Sequence, residues 1–435
     1  MDVQPRILVF TVSAWNSKIG ANTWASLLEG YDSAKIANIC IRDEIPDSSI
    51  CSRYFTISEN KILKSIFRPW IKTGREVIAG ATSQDTSDDL EKHNRRYSAM
   101  RKKRRYSMLI ARELVWKFGK WRTKELDAFL KEFKPDIIFH SMEGYIHLNR
   151  VVEYAIRCTG AKAIGYIWDD NFTYKQSTRW GYKLYRFFQR KSLKKLAKKT
   201  NAFFAISEMT KKEADSFFGI NSHVLTKPLN AKPVVRYESL RKPYRLLYTG
   251  NLFIGRDRSL LRVVKAIEKL PKNSFEIDVY TKTELSTEIR QEINEQICHI
   301  YSPIPQKEVL AKQLEADLLL FLEDIDGPDA HTARLSFSTK TTDYLSSGRC
   351  ILAVGCAETA PMQYFISNNA AINACSDKEI VSKLQLILDN PQLLIQYACK
   401  ASEIGIKNHD KKKVTAEFDR IVFDIYQRKN EGYKK

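Results

Sequence analysis

Short apolar runs alternate along the chain with longer segments in which apolar residues recur every three to four positions. The runs fall at residues 7–12, 36–41, 137–140, 163–168, 203–206 and 224–226. After a break they resume at 246–249, 275–280, 297–301, 318–322, 351–354 and 370–373. Many are β-branched or aromatic and show no apolar–polar alternation, as expected of strands covered on both faces of a parallel sheet. Between them, segments such as 260–270 and 380–388 have helical spacing. Strand, helix, strand, helix predicts a doubly wound α/β sheet.

The break falls at KPLNAKPVVRYESLRKP, residues 227–243, where three prolines and the loss of periodicity predict an interdomain linker. With 435 residues the chain is long enough for two such units. The expected domains are 1–230, a linker at 231–243, 244–405, and an amphipathic C-terminal helix within 406–435 carrying Val414, Phe418, Ile421 and Ile425. Residues 52–134 fit the alternation poorly and read as a basic, partly helical insertion in the first domain. The fold class is therefore α/β, with two tandem doubly wound, Rossmann-like domains expected to face a central cleft. Ligands in such sheets bind beyond the C-terminal ends of the strands, so function is expected in the loops that follow them.

Composition narrows the classes. Hydrophobic residues make up 43% and charged residues 28%, which is globular. No apolar run approaches the length of a membrane span, the densest being 318–322. The opening residues lack a charged-then-apolar signal pattern, so a cytoplasmic location is expected. The eight cysteines form no CxxC pair and no zinc-spaced cluster, and read as buried, reduced thiols. The net charge of +20 favours anionic partners: nucleic acid, an anionic membrane face or phosphorylated small molecules. The excess concentrates in RRYSAMRKKRR, residues 95–105, and in residues 186–199.

Two loops carry candidate chemistry. GNLFIGRDRSLL, residues 250–261, follows a strand. Gly250 permits close backbone approach, Asn251 follows it, and Arg256 and Arg258 precede a helix. Together they read either as a phosphate cradle or as a plain turn with solvated arginines. FSTKTTDYLSSGRCILAVG, residues 337–355, follows the acidic loop EDIDGPDAHTARL. Ser338 or Thr339 suits an N-cap and Gly348 a C-cap. Capping leaves Lys340 unexplained, because a cation in the first turn opposes the helix dipole. A ligand bringing negative charge would explain it.

These segments resemble the glycosyltransferases of the GT-B fold, especially family 4 of the bacterial polysaccharide-biosynthesis type. That family carries P-[ST]-K-L-x-E-Y-L-A-A-G-K-P-V-L-A at its donor site. Here Ser338 stands at the proline, Thr339 and Lys340 match, and Asp343 replaces the glutamate. Tyr344, Leu345, Gly348, Ile351, Leu352 and Ala353 follow in register. GNLFIGRDRSLL is similar to the family's G-R-L-x-x-x-K-G segment, and residues 202–219 to its V-I-x-V-S-E stretch. The resemblance implies that Asp343 holds the ribose of a nucleotide sugar. It also implies that Arg256, Lys340 and helix N-termini meet the diphosphate, with no metal or other cofactor. The family's glycine loop after the first strand is reduced to KIGANTW, where Gly20, Ala21 and Asn22 are expected near the diphosphate.

One departure stands out. Retaining members often carry a second glutamate eight positions before the ribose-binding one, and Leu335 stands there. Asp324, Asp326, Asp329 and His331 are the candidates for part of its contact with the sugar, with no choice among them. In the first domain, AIGYIWDDNFTY ends a strand with Asp169 and Asp170. Paired carboxylates there would orient an acceptor hydroxyl or stabilise developing positive charge; alternatively Asp170 is a cap. His140 also ends a strand, with Glu143 and His147 after it, and suits either a site or a structural role. WGYKLYRFFQRKSLKKLAKK, residues 180–199, reads either as a helix lying on an anionic bilayer or as a core-packed helix with a solvated basic face.

The expectation is a metal-independent glycosyltransferase of hexosyl type, peripheral on the inner face of the cell membrane. It would move a sugar, with retention, from a nucleoside-diphosphate sugar to a free or lipid-linked saccharide in surface polysaccharide synthesis. The alternatives are a sugar-nucleotide epimerase or phosphorylase on the same fold, and a nucleic-acid-binding protein. No helix-turn-helix, RNA-recognition or zinc pattern accompanies the charge, so no nucleic-acid partner is expected.

Overall fold

A computed structural model describes residues 4–15, 23–44, 46–77, 106–230, 237, 240–327 and 329–431. The chain divides into two compact units. One runs to Leu225 and takes in the chain from Ala416; the other is Thr226–Thr415.

The first unit is built on β1 (Ile7–Thr11), β2 (Ile36–Cys40), β3 (Arg53–Ile57), β4 (Gly74–Val77), β5 (Ile137–Ser141), β6 (Lys162–Ile167), β7 (Ala202–Ala205) and β8 (His223–Val224). They lie in the order β4-β3-β2-β1-β5-β6-β7-β8, all parallel except β4. The second unit holds β9 (Tyr244–Thr249), β10 (Phe275–Tyr280), β11 (Cys298–Tyr301), β12 (Leu318–Leu322), β13 (Cys350–Val354) and β14 (Ile372–Ala374). Their order is β11-β10-β9-β12-β13-β14, all parallel. The sequence order thus reverses direction between β1 and β5 in one sheet and between β9 and β12 in the other. Helices feeding away on opposite sides leave a crevice at each reversal, beyond the strand ends.

Runs without alternation became central strands as expected: every residue of β2, β5, β12 and β13 is buried. Residues 52–134 differ from the reading as an insertion, because they contribute β3 and β4 to the first sheet. GREV in β4 has a single large apolar residue, so periodicity could not reveal it. It is held as an antiparallel edge by the ladder to β3, and a Cβ on Gly74 would come within 2.7 Å of the Phe55 ring. The basic run 95–105 lies outside the described residues.

The unit boundary at Leu225 precedes the segment read as a linker. The final helix is Lys411–Glu431, separated from Gln392–His409 by Asp410. From Ala416 it belongs to the first unit. There Phe418 packs on the Phe139 and Phe204 rings, with centroids 5.5 and 5.8 Å away. Asp419 accepts a 2.8 Å hydrogen bond from the Tyr31 hydroxyl. Among the described residues no helix is long and apolar enough to cross a membrane. All eight cysteines are unpaired; Cys40, Cys51, Cys298 and Cys350 are buried, whereas Cys158 and Cys399 are exposed.

Candidate functional site

At the β9/β12 reversal the second unit gathers four groups. Gly250, directly after β9, has φ +126°, and a Cβ there would stand 2.6 Å from the Lys340 ammonium. The glycine is therefore the condition for Lys340 to lie over the end of β9. Lys340 donates to the Tyr248 hydroxyl at 2.9 Å, with its ammonium 4.0 Å from that ring's centroid. Arg256 opens the helix Arg256–Ile267, and its guanidinium donates to the Leu322 carbonyl at 3.1 Å and to Glu323 at 2.8 Å. Glu323, next after β12, is buried. Burial first, and the Arg256 charge second, bring the Lys340 pKa down to about 7; Glu323 opposes the shift. Two cations thus converge with one carboxylate between them, a deficit of negative charge that an anionic ligand would fill.

The other residues proposed for this edge divide. Ser338 is the N-cap of Thr339–Leu345, its hydroxyl accepting from the Lys340 amide at 3.3 Å. Thr339 is exposed in the first turn. The helix stops at Leu345 with Ser346 as its cap, and Gly348, at φ +69°, shapes the turn that follows instead of capping it. Asp343 is partly exposed and accepts from Lys227 at 2.6 Å. The Asn251 carbonyl accepts from the Tyr248 hydroxyl at 2.6 Å, which orders the turn after Gly250. Arg258 leaves the ligand-binding set: it is held by Asp324 at 2.7 Å and Asp329 at 3.2 Å. Arg262 likewise holds Asp326 at 2.6 Å. The acidic loop is thus tied down by the arginines of one helix, and Asp324, Asp326 and Asp329 are engaged as structural anchors. His331 is exposed and Leu335 is in the core, 0% exposed. Glu323 is the residue the sequence reading missed; an acidic residue directly after the most apolar strand was its signal.

The β1/β5 reversal in the first unit is chemically different. Arg42, beyond β2, donates to the Ser13 hydroxyl at 2.9 Å and lies 3.8 Å from Glu44. Glu143 follows β5 and Asp169 follows β6, and the two carboxyls interact. Burial first and the Asp169 charge second push the Glu143 pKa up to about 7, against the lowering influence of the Trp168 side chain and Arg42. Asp170 is withdrawn from the expected pair. It is buried, accepts from the Thr173 amide at 2.9 Å and from the Thr173 hydroxyl, and so fixes the following turn. His140 is withdrawn too: it is fully buried between the Ser141 carbonyl and the Thr200 hydroxyl, and burial lowers its pKa to about 4, leaving it neutral. His147 is buried against Glu113 at 2.9 Å. Gly20 and its neighbours Ala21 and Asn22 lie outside the described residues.

The basic helix Trp180–Ala197 packs one face into the first unit and exposes the other. Tyr182, Tyr185, Leu193 and Leu196 are buried, while Trp180, Lys183, Phe187, Phe188 and Lys191 face outward. Among the described residues no cluster of histidine, cysteine or carboxylate side chains could hold a metal ion.

No family model matches the chain, and a search of curated proteins finds no relative. Solved structures do share its fold. The Anabaena protein HepE in complex with UDP superposes with a TM-score of 0.63 at 9% identity, over 96% of this chain and all of that one. The trehalose-6-phosphate synthase of Burkholderia multivorans gives 0.60 at 11% identity, covering 98% of each chain. The sucrose-phosphate synthase of Thermosynechococcus elongatus gives 0.60 at 10%, covering 98% of this chain and all of that one. Two tandem doubly wound units in this arrangement of strands are the GT-B fold expected from the sequence.

Proposed function

We propose that the protein is a glycosyltransferase that uses a nucleoside-diphosphate sugar. The observation that carries this reading is the convergence of Gly250, Arg256 and Lys340 at the β9/β12 reversal. A diphosphate there would face two cations and a glycine-lined backbone, so charge developing on the leaving group is met without a divalent ion. Asp343, partly exposed near the start of the next helix, would exchange Lys227 for ribose hydroxyls. That HepE was solved with UDP and with UDP and glucose supports the choice of donor class. In the first unit Glu143 and Asp169 would take the acceptor side. A carboxyl with a pKa near 7 can hold or accept a hydroxyl proton at neutral pH.

The finer reading is retention at the anomeric carbon and a saccharide acceptor of bacterial surface polysaccharide, free or lipid-linked. It rests on the motif resemblance around Lys340 and Asp343. The outward lysines and aromatics of Trp180–Ala197 support work at an anionic membrane face. The test is a thermal-shift panel of nucleotides and nucleotide sugars, followed by product analysis with the stabilising donor. Selective stabilisation by one nucleoside diphosphate, lost in Lys340→Ala, is expected. No shift with any nucleotide, or sugar-nucleotide conversion without an acceptor, would sink the reading.

A further inference from the structure

A second concentration of positive charge lies in the first unit, around the turn between the helices Tyr106–Phe118 and Lys124–Phe133. Trp116, Lys117, Lys120, Trp121, Arg122 and Arg150 line a cavity of about 480 Å³. No acidic side chain lines it among the described residues. Arg150 is only partly exposed, and its Nη1 is buried with no hydrogen-bond partner among the described residues. Arg122 lies over the Trp121 and Tyr154 rings, 4.8 and 5.3 Å from their centroids, and meets no carboxylate among the described residues. Arg256, Arg258 and Arg262 each meet a carboxylate. At the cavity no acidic lining residue among the described residues answers Lys117, Lys120, Arg122 and Arg150, so that partner is left to a ligand.

The surface around the cavity names the ligand's setting. Phe67 is 83% exposed, Trp70 74% and Phe118 67%. Phe118 sits between lining residues, and the Lys120 ammonium donates to the Pro69 carbonyl at 2.8 Å, which fixes the segment bearing Phe67 and Trp70 beside the cavity. Gly119 lies so close to Ile62 that a side chain there would collide with it, so the helix Glu59–Ser65 joins the same surface with its exposed Leu63. Lys64, Arg68 and Lys72 are interleaved with these apolar side chains. Free aromatics standing among cations suit a membrane interface, where rings enter the headgroup layer and cations meet anionic lipid.

We propose that this surface docks on an anionic bilayer, with the phosphate of a phospholipid headgroup held in the cavity by Arg150, Lys117, Lys120 and Arg122. The site deepens the membrane reading given above and is independent of the nucleotide-sugar reading. It adds a defined headgroup position to the diffuse basic face of Trp180–Ala197.

The test is co-sedimentation of the full chain with phosphatidylcholine vesicles and with phosphatidylcholine–phosphatidylglycerol vesicles. The expected result is binding to the mixed vesicles only. Arg150→Gln with Lys120→Gln should weaken it at least tenfold. Trp70→Ala with Phe118→Ala should weaken it as much with an unchanged melting temperature, because both rings are free of the core. Equal binding to both vesicle types, or wild-type binding by both pocket and aromatic variants, overturns the proposal. A third variant, Trp180→Ala/Phe187→Ala/Phe188→Ala, separates it from the broader reading. If that variant alone abolishes binding, the protein is a membrane protein without this site. If the wild type sediments with neither vesicle, the membrane reading falls with it. Inorganic phosphate that stabilises the protein through Arg150, while pocket variants sediment normally, assigns a free anion and overturns the bilayer occupant.

Discussion

The two strand reversals are built alike and charged oppositely. Beyond β9 and β12 lie Gly250, Arg256 and Lys340, with the buried carboxylate of Glu323 on Arg256. Beyond β1, β5 and β6 lie Ser13, Glu143 and Asp169, with Arg42 and Glu44 beside them. The same architectural position thus holds cations short of partners in one unit and carboxylates crowded together in the other. Sheet topology decides where a ligand can enter, and the residues after each strand decide which kind. A diphosphate suits the first edge and a polyol, whose hydroxyls donate to carboxylates, suits the second.

The strongest way to break this contrast is to remove charge from the cationic edge. Lys340→Ala should lower kcat/KM by about 10²–10³-fold, the usual loss for one preorganised donor on developing charge. Arg256→Ala should do the same and also destabilise the protein by about 3–5 kcal/mol, since Glu323 would be left buried and unpaired. Arg256→Ala/Glu323→Gln should recover most of the melting temperature and none of the donor binding, a split readable by calorimetry beside steady-state kinetics.

The carboxylate edge should respond next. Glu143→Gln is expected to reduce kcat by about 10²-fold, the lower end for a positioned acid–base group, with donor affinity unchanged. Its stability effect has a definite sign. Folding raises this pKa from 4.5 to about 7, so the protonated form is favoured in the native state. That contribution is complete below about pH 4 and is lost as pH rises through about 7. Glu143→Gln should therefore melt above the wild type at pH 8 and converge with it in acid. Asp170→Asn should lower the melting temperature at neutral pH, by weakening its bonds from Thr173, and spare acceptor kinetics.

Proton linkage sharpens the comparison from the donor side. A bound diphosphate favours charged Lys340, which in the free protein titrates near pH 7. Below that pH the lysine is already protonated and affinity is flat. Above it, binding takes up a proton, so Kd should rise towards a limit of about tenfold per pH unit. Lys340→Met should remove the slope; isothermal titration in buffers of different ionisation enthalpy would count the proton. The smallest expected effect is at Asp343. Asp343→Asn should bring the preferred nucleoside diphosphate and its 2′-deoxy form to within a factor of about three of each other, as one charged hydrogen bond to ribose is weakened.

Twelve of the fourteen strands among the described residues were legible as short apolar runs, most plainly β2, β5, β12 and β13, which are buried on both faces and so must be apolar throughout. The two that were not, β3 and β4, lie towards the sheet's edge, where ladder geometry and the fit of Phe55 over Gly74 do the work of sequence pattern. At the site, Lys340 was legible because a cation in a helix's first turn contradicts the local rule. Arg258 was misread for the opposite reason: nothing along the chain shows that Asp324 and Asp329, more than 60 residues away, will hold it. His140 and Asp170 share that failure. A polar residue at the end of a strand has the same signature whether it faces a ligand or, like these two, turns inward to a threonine.

The final helix has a consequence for biosynthesis. Phe418 closes the aromatic cluster of Phe139 and Phe204, and Asp419 reaches Tyr31, so the first unit borrows part of its core from residues made after the whole of the second. On a ribosome, the unit that emerges first cannot finish first. It must wait, with an apolar slot uncovered, while the second unit is translated and folds. A chain truncated after residue 415 should therefore show a protease-resistant second unit beside a first unit that is still cleaved.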